Sequence, residues 1–279
     1  MNENTHTSRT MSQKLLAAPY GIWMIIFIIV PLAMVAYFGL TDANGAFTLE
    51  NIKEVGKYSP IFIKSIWLAA IATVICLVIA YPAAYIMSRM KTSIQSTVLM
   101  LLILPMWMNF LLRTYAWMTI LGNEGLLNTF LGWFGIGPFK MLNTQGAVVL
   151  GMVYNYLPYM ILPLYTVMMK IDKSILEAAQ DLGCNSMKSL FKVVLPLSIP
   201  GITSGITMVF VPAISTFIIS RMLGGGKSQL IGDLIEMQFL GNSYNPNLGS
   251  AMSLILMIIV LVIMTLMNQF DADDDKVLM

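Results

Sequence analysis

The chain has 279 residues, of which 57% are hydrophobic and 11% charged, with a mean hydropathy of +0.77. Soluble domains carry about one quarter charged residues, so this composition excludes a water-soluble globular enzyme and defines an integral membrane protein. The formal net charge of +2 is too small and too dispersed to point to nucleic acid. The lone His6 in a polar tail, and Cys76 and Cys184 in unlike surroundings, give no basis for a metal site, histidine catalysis or a disulfide framework.

Residues 1–14 are polar and are expected to stay unstructured outside the bilayer, as part of an N-terminal tail covering residues 1–18. The apolar run from Pro19 to Leu40 is longer than the roughly 7 to 15 residues of a signal-peptide core. It is therefore predicted as a retained first span, with a polar external loop up to residue 60; the alternative is a cleaved signal ending near Ala46. Five more runs follow: Ser65 to Ser88, Val98 to Leu121, Gly146 to Met169, Val193 to Ser220, and Leu248 to Met267. Each reaches the roughly 20 residues that cross the hydrocarbon as a helix. Six spans return both termini to one side. No internal repeat or low-complexity segment divides the chain, so residues 61–268 are expected to form one all-α membrane domain and 269–279 a tail.

With the N-terminus inside, Arg9, Lys14, Arg89, Lys91, Lys170, Lys173, Lys188, Lys192 and Lys276 face the cytoplasm, nine basic residues against six outside. The bias follows the positive-inside rule and puts residues 174–196 on the cytoplasmic side.

Arg113 interrupts the third run. A charge within a span costs about 2.5 to 3.5 kcal/mol on insertion scales, so it is predicted to face the bundle interior or the outer interface. Residues 122–145 combine five glycines with Trp133 and Phe134, the pattern of a re-entrant or interfacial piece able to receive a docking partner.

Ser174 to Pro196, SILEAAQDLGCNSMKSLFKVVLP, is a hydrophilic insertion with helical pattern. Ser174 and Glu177 have the spacing of a capping box, predicting a helix start. Gly183 can close that helix, after two turns at most, in the left-handed conformation. Asn185 or Ser186 can cap a second helix that leads into the membrane, with Pro196 near the start of the next span. An interfacial helix that merely links two spans would share part of this pattern.

Glu177-Ala178-Ala179, Gly183 and Leu195-Pro196 together resemble the EAA loop of bacterial ABC importer permeases of the type I, binding-protein-dependent class. A mild departure is Val193, where that family usually has Ile. The resemblance implies a six-helix type I permease fold with a cytoplasmic coupling helix. Ser174, Glu177, Ala178, Ala179, Asp181, Gly183, Leu195 and Pro196 would form the loop that docks on an ATPase, with the two alanines presenting a flat face for close approach. It also implies a second permease subunit, a cytoplasmic ABC ATPase dimer that carries the ATP and magnesium, and an external or periplasmic substrate-binding protein. No cofactor or catalysis is expected on this chain itself.

Pro105 to Met118, PMWMNFLLRTYAWM, and Leu223 to Ile235, LGGGKSQLIGDLI, resemble the B-type permeases of spermidine and putrescine importers. Some members of that group carry an acidic residue just before the glycine turn, where this chain has Arg221, a charge that would repel a cationic substrate. GGGKS at Gly224 to Ser228 is rejected as a phosphate loop, because Arg221 occupies the position that needs glycine and no buried strand precedes it.

A polyamine path should offer aromatic faces, carbonyl dipoles and negative potential. Candidates are Asn109, Arg113, Tyr115, Trp117, Tyr154, Asn155, Pro212, Asp233 and Glu236, the two acids lying at the outer margin. Packing or an interfacial belt is the competing role for each aromatic. Pro196, Pro200, Gly201, Gly205 and Pro212 predict a bent fifth span lining the path. Another small solute as cargo, or an ion-driven transporter or channel working alone, stands as the alternative. The lack of intramembrane carboxylates disfavours the second.

Overall fold

A computed structural model of the chain describes residues 19–226, 228–241 and 243–277, with side chains up to residue 267. The expectation of an unstructured segment at 1–14, with His6, lies outside the described residues, as does Lys227.

Helices account for most of the described chain. Four are long and apolar enough to cross a membrane: α1 (Pro19–Gly39), the run Glu50–Arg89 made of α2 (Glu50–Val55), one 3-10 turn and α3 (Ser59–Arg89), α7 (Gln145–Met168), and α13 (Pro246–Val277) through its apolar part Pro246–Met267. Two further helix pairs are long and apolar enough only when taken together, and each is bent: α4 (Thr92–Trp107) with α5 (Phe110–Ile120) at 90°, and α9 (Ser186–Leu197) with α10 (Ile199–Ile214) at 70°. The remaining helices are short: α6 (Leu126–Gly132), α8 (Lys173–Asp181), α11 (Ile218–Gly224) and α12 (Ile231–Leu240).

The third run therefore differs from the straight helix that its apolar length suggests, whereas the fifth is bent as its prolines and glycines predict. The third run breaks at Met108 and Asn109, both extended, because Asn109 starts a new helix by accepting the Leu111 N–H at 2.8 Å. The fifth breaks at Ser198, between Pro196 and Pro200, which lack the N–H groups a continuous helix needs. Ser198 closes the first limb through its own N–H to Val194 O at 2.9 Å and its hydroxyl to Leu195 O at 3.0 Å. A second break at Ser215 to Phe217 ends α10 before residue 220. At the C-terminus α13 continues as helix to Val277, so the segment expected as a tail is helical over most of its length.

The chain divides into two compact units. One comprises Met1–Tyr58 and Met237–Ile258. Within it the C-terminal end of α1 is closed by Asn247 Nδ2, which donates to Phe38 O at 3.1 Å and Thr41 O at 2.6 Å. Gly39 is required there, since a Cβ would sit 2.7 Å from Leu254 Cδ1 and 3.1 Å from Ala251 N. Asp42 folds the following turn by accepting the Asn44 and Ala46 N–H groups, each at 2.9 Å. The Ala46 amide bond in particular holds its carboxyl below the ordinary value of 3.8.

The other unit comprises Ser59–Glu236 and Ile259–Met279. Its centre is α3, α7 and α10. On α3, Ala69, Ala72, Cys76, Ala80 and Ala84 are fully buried at helical spacing, forming a small-residue stripe along which neighbouring helices come close. Cys76 Sγ lies 3.8 Å from Val153 O of α7. On α7, Met152, Met160, Leu164 and Met168 are also fully buried. Gly201 and Gly205 on α10 repeat the device as a Gly-x-x-x-Gly pair: a Cβ on Gly205 would stand 2.6 Å from Met160 Sδ, and one on Gly201 3.1 Å from Val167 Cβ. Lipid tails are as apolar as Leu, so close packing rather than exclusion from water holds such helices together.

Candidate coupling site and translocation path

The sequence from Asp172 to Ser198 builds a rigid projection. Helix α8 begins two residues earlier than the Ser174–Glu177 spacing indicates, because Asp172 is the N-cap and its Oδ1 accepts the Ser174 N–H at 3.0 Å. The expected capping box is therefore not formed; Glu177 lies in mid-helix with its side chain exposed. The same bond holds the Asp172 carboxyl below the usual 3.8.

The helix runs nine residues, longer than the two turns expected because it starts earlier, and ends as anticipated at Gly183, whose φ is +85°. Gly183 N–H donates to Gln180 O at 2.8 Å and Cys184 N–H to Ala179 O at 3.0 Å, the two bonds of a Schellman closure. Asn185 caps α9 by accepting the Lys188 N–H at 2.9 Å. Both helix ends that face each other across the turn are thus satisfied between Ala179 and Lys188.

What α8 shows to solvent is mixed. Ile175, Glu177, Ala178, Asp181 and Leu182 are exposed, Leu182 at 86%. Ala179 is buried at 9%, so only Ala178 offers the small exposed face expected of the alanine pair. Leu195 and Pro196 lie farther along, on the short turn before Ser198, with Pro196 exposed and Leu195 half-buried. Ser198, fully buried, also meets the Tyr81 hydroxyl of α3 at 3.1 Å. The bend is thereby pinned to the core, a link that no local motif announces.

The path candidates separate into distinct places. Asn109 is used as the cap of α5. Arg113 is buried, its guanidinium 5.9 Å from the Phe110 ring and its Nε without a hydrogen bond, so it takes the interior of the two expected positions. Tyr115 is exposed. Trp117 and Tyr154 stack edge-on at 5.2 Å. Asn155 is buried with Nδ2 donating to Gly151 O at 2.8 Å, and the Pro212 carbonyl accepts the Tyr156 hydroxyl at 3.2 Å.

Asp233 and Glu236 fall on α12, which starts in a tightly fitted corner. Asp233 Oδ2 accepts the Leu230 N–H at 2.8 Å and Ser65 Oγ accepts the Ile231 N–H at 2.9 Å, so two orphan amides of the helix start are paired. Gly232 lies against the carbonyls of Ser215 and Thr216, where a Cβ would come within 2.5 Å and 2.6 Å. Asp233 is buried at 4%, and burial pushes its carboxyl up, opposed by the Leu230 N–H, Ser220 and the charges of Arg221 and Lys64. Arg221 forms a two-pronged ion pair with Glu236, with Nη1 to Oε1 at 2.9 Å. The charge expected to repel a cation is consequently balanced. The glycine turn itself follows a helix, and Gly225 and Gly226 have φ of +58° and +74°, with Asn143 N–H bonding Leu223 O at 2.8 Å.

Membrane-length helices, three of them (α3, α7 and α10) packed as the centre of one unit, with one short, doubly capped helix between α7 and α9, define an all-α membrane protein with the type I permease fold. The chain belongs to the family of binding-protein-dependent transport system inner membrane components, which it matches over residues 6–272. It is 39% identical over 254 residues to the spermidine/putrescine transport system permease protein PotB of Haemophilus influenzae, covering 87% of this chain and 88% of that one. Its identity to PotB of Escherichia coli K12 is 36% over 248 residues, covering 85% and 90%. Among solved structures, a bacterial ABC transporter that imports the acidic polysaccharide alginate superposes with a TM-score of 0.77 at 16% identity, over 95% of this chain and 96% of that chain. A second structure of an alginate transporter, in complex with a pentasaccharide-bound periplasmic protein, gives 0.76. These two share the fold.

Proposed function

We propose that this chain is a permease subunit of an ATP-driven importer of spermidine and putrescine, and that it forms half of the translocation path. In this reading it pairs with a second permease, receives its cargo from an external binding protein, and is driven by a cytoplasmic ATPase dimer that alone holds ATP and magnesium. Both termini and α8 lie on the cytoplasmic side.

One observation carries the mechanism: α8 is a stiff, closed helix that exposes Ile175, Ala178 and Leu182 at the end of a core helix, and it is joined through α9 to a bend pinned by Ser198 and Tyr81. A lever needs both an exposed end and a rigid joint. Movement of α8 by a closing ATPase would turn α9 about Ser198, and α10 with its Gly-x-x-x-Gly contact would pass the displacement to α7. The substrate assignment rests on the PotB relatives. The neutralisation of Arg221 by Glu236 removes the main electrostatic objection to a polycation.

The test is ATP hydrolysis by the reconstituted complex with its binding protein, challenged with spermidine, putrescine, unrelated amino acids and anions. Stimulation by the polyamines alone supports the assignment. Stimulation only by another solute would move the cargo while keeping the architecture, and ATP-independent, ion-driven uptake would remove both.

A further inference from the structure

The connection between α5 and α7 holds an exposed aromatic cluster outside the spans. Trp133 is 78% exposed and Phe134 66%, with Leu126, Phe130 and Phe139 also exposed. Phe130 packs on Phe134 at 5.3 Å and on Trp133 at 6.0 Å. No charged residue occurs between Glu124 and Lys140.

The polar groups of this segment are turned inward. Asn128, 5% exposed, donates from Nδ2 to Gly122 O at 3.1 Å and Phe139 O at 2.9 Å, and its Oδ1 accepts the Phe139 N–H at 2.9 Å. One amide thus ties both ends of an eighteen-residue loop (122–139) together. The turn after α6 is closed by Ile136 N–H to Leu131 O at 3.1 Å, around Gly135 at φ +72°. A segment with paired backbone groups and an outward aromatic face can enter a medium poor in hydrogen bonds at little cost.

The seven-residue α6 spans about 10 Å and cannot cross a bilayer, so both ends of the connection lie on one side. That side is opposite α8, because the single crossing α7 separates them. We infer that residues 126–139 form a preassembled anchor seated in the lipid interface of the leaflet opposite α8, with Trp133 at headgroup depth. Trp has an apolar ring and a polar N–H, which suits that depth. A transient protein partner would leave the cluster in water between encounters, a costly resting state for rings this exposed.

The experiment uses the assembled transporter in nanodiscs made with phosphatidylcholine brominated either near the headgroup or near the chain ends. The quantity read is the difference in tryptophan emission between the wild type and Trp133→Phe. The inference predicts that this difference is lost mainly with the shallow bromine. A difference untouched by either lipid, with the emission of a water-exposed indole, would overturn it. Quenching mainly by the deep bromine would overturn it in favour of a re-entrant segment. Shielding that appears only on addition of the binding protein would overturn it in favour of a docking surface. Asn128→Ala supplies an independent reading in otherwise unaltered protein: the anchor requires shallow quenching to weaken, and unchanged quenching would refute the role given to the Asn128 tie.

Discussion

Replacing Gly183 separates a conformational requirement from a spatial one. Its φ of +85° is left-handed, yet a Cβ built there meets nothing within 4 Å. Substitution therefore costs only the strain of holding an L-residue in that region, about 1 to 2 kcal/mol for Ala, and less for Asn, which adopts it more readily. Such an energy changes a local equilibrium by roughly 5- to 30-fold, enough to open the Schellman turn in much of the population and too little to unfold the bundle. The assay is titration of the purified ATPase onto the reconstituted permease pair, with substrate-stimulated ATP hydrolysis as the readout. The expected order of apparent affinity is Gly, then Asn, then Ala, then Val. An order that follows side-chain size, with Ala ahead of Asn, would refute the argument and place an unseen steric contact at this turn.

Ala178→Trp is expected to abolish transport while insertion into the membrane stays intact, measured by uptake beside membrane-fraction yield. Gly205→Val must displace Met160 at the α7–α10 contact and is expected to cost about 1 to 3 kcal/mol, read as a lower melting temperature of the purified complex. Asp233→Ala leaves the buried Leu230 N–H without its acceptor and should destabilise by about 1 to 3 kcal/mol, whereas Asp233→Asn keeps an acceptor oxygen and should melt closer to wild type. Arg221→Gln should change stability by only about 0.2 to 1 kcal/mol because the arginine is half exposed. The Asp172 carboxyl titrates lower in the folded helix than in the unfolded chain, so its cap is complete above 3.8 and lost as pH falls through the lowered value. Hydrogen exchange at the Ser174 amide should accordingly stay protected from neutral to mildly acid pH and open only below 3.8.

The parts legible in the sequence were those set by local chemistry. Length of apolar run located the spans, and Gly183 and Asn185 marked the turn because a left-handed glycine and a capping amide act on their immediate neighbours. The start of α8 is ambiguous in the sequence for a related reason: Asp172 and Ser174 both suit an N-cap, and the choice between them depends on where α7 ends. The break at Met108 and Asn109 was hidden inside an uninterrupted hydrophobic stretch, where hydropathy reports depth and says nothing of direction. The Arg221–Glu236 pair and the Tyr81–Ser198 contact join residues 15 and 117 positions apart, so only the tertiary fold brings them together. The small residues of α3 stand in the sequence at helical spacing, but which neighbouring helix comes close to them is set by the tertiary fold.

The central claim is that α8 is where a separate motor takes hold. Hydrogen–deuterium exchange of the membrane-embedded permease pair, with and without the ATPase subunit, tests it most directly. The account predicts new protection confined to Ile175 through Met187, with the α5–α7 connection unchanged. Equal exchange of that segment in the presence and absence of the motor would contradict it.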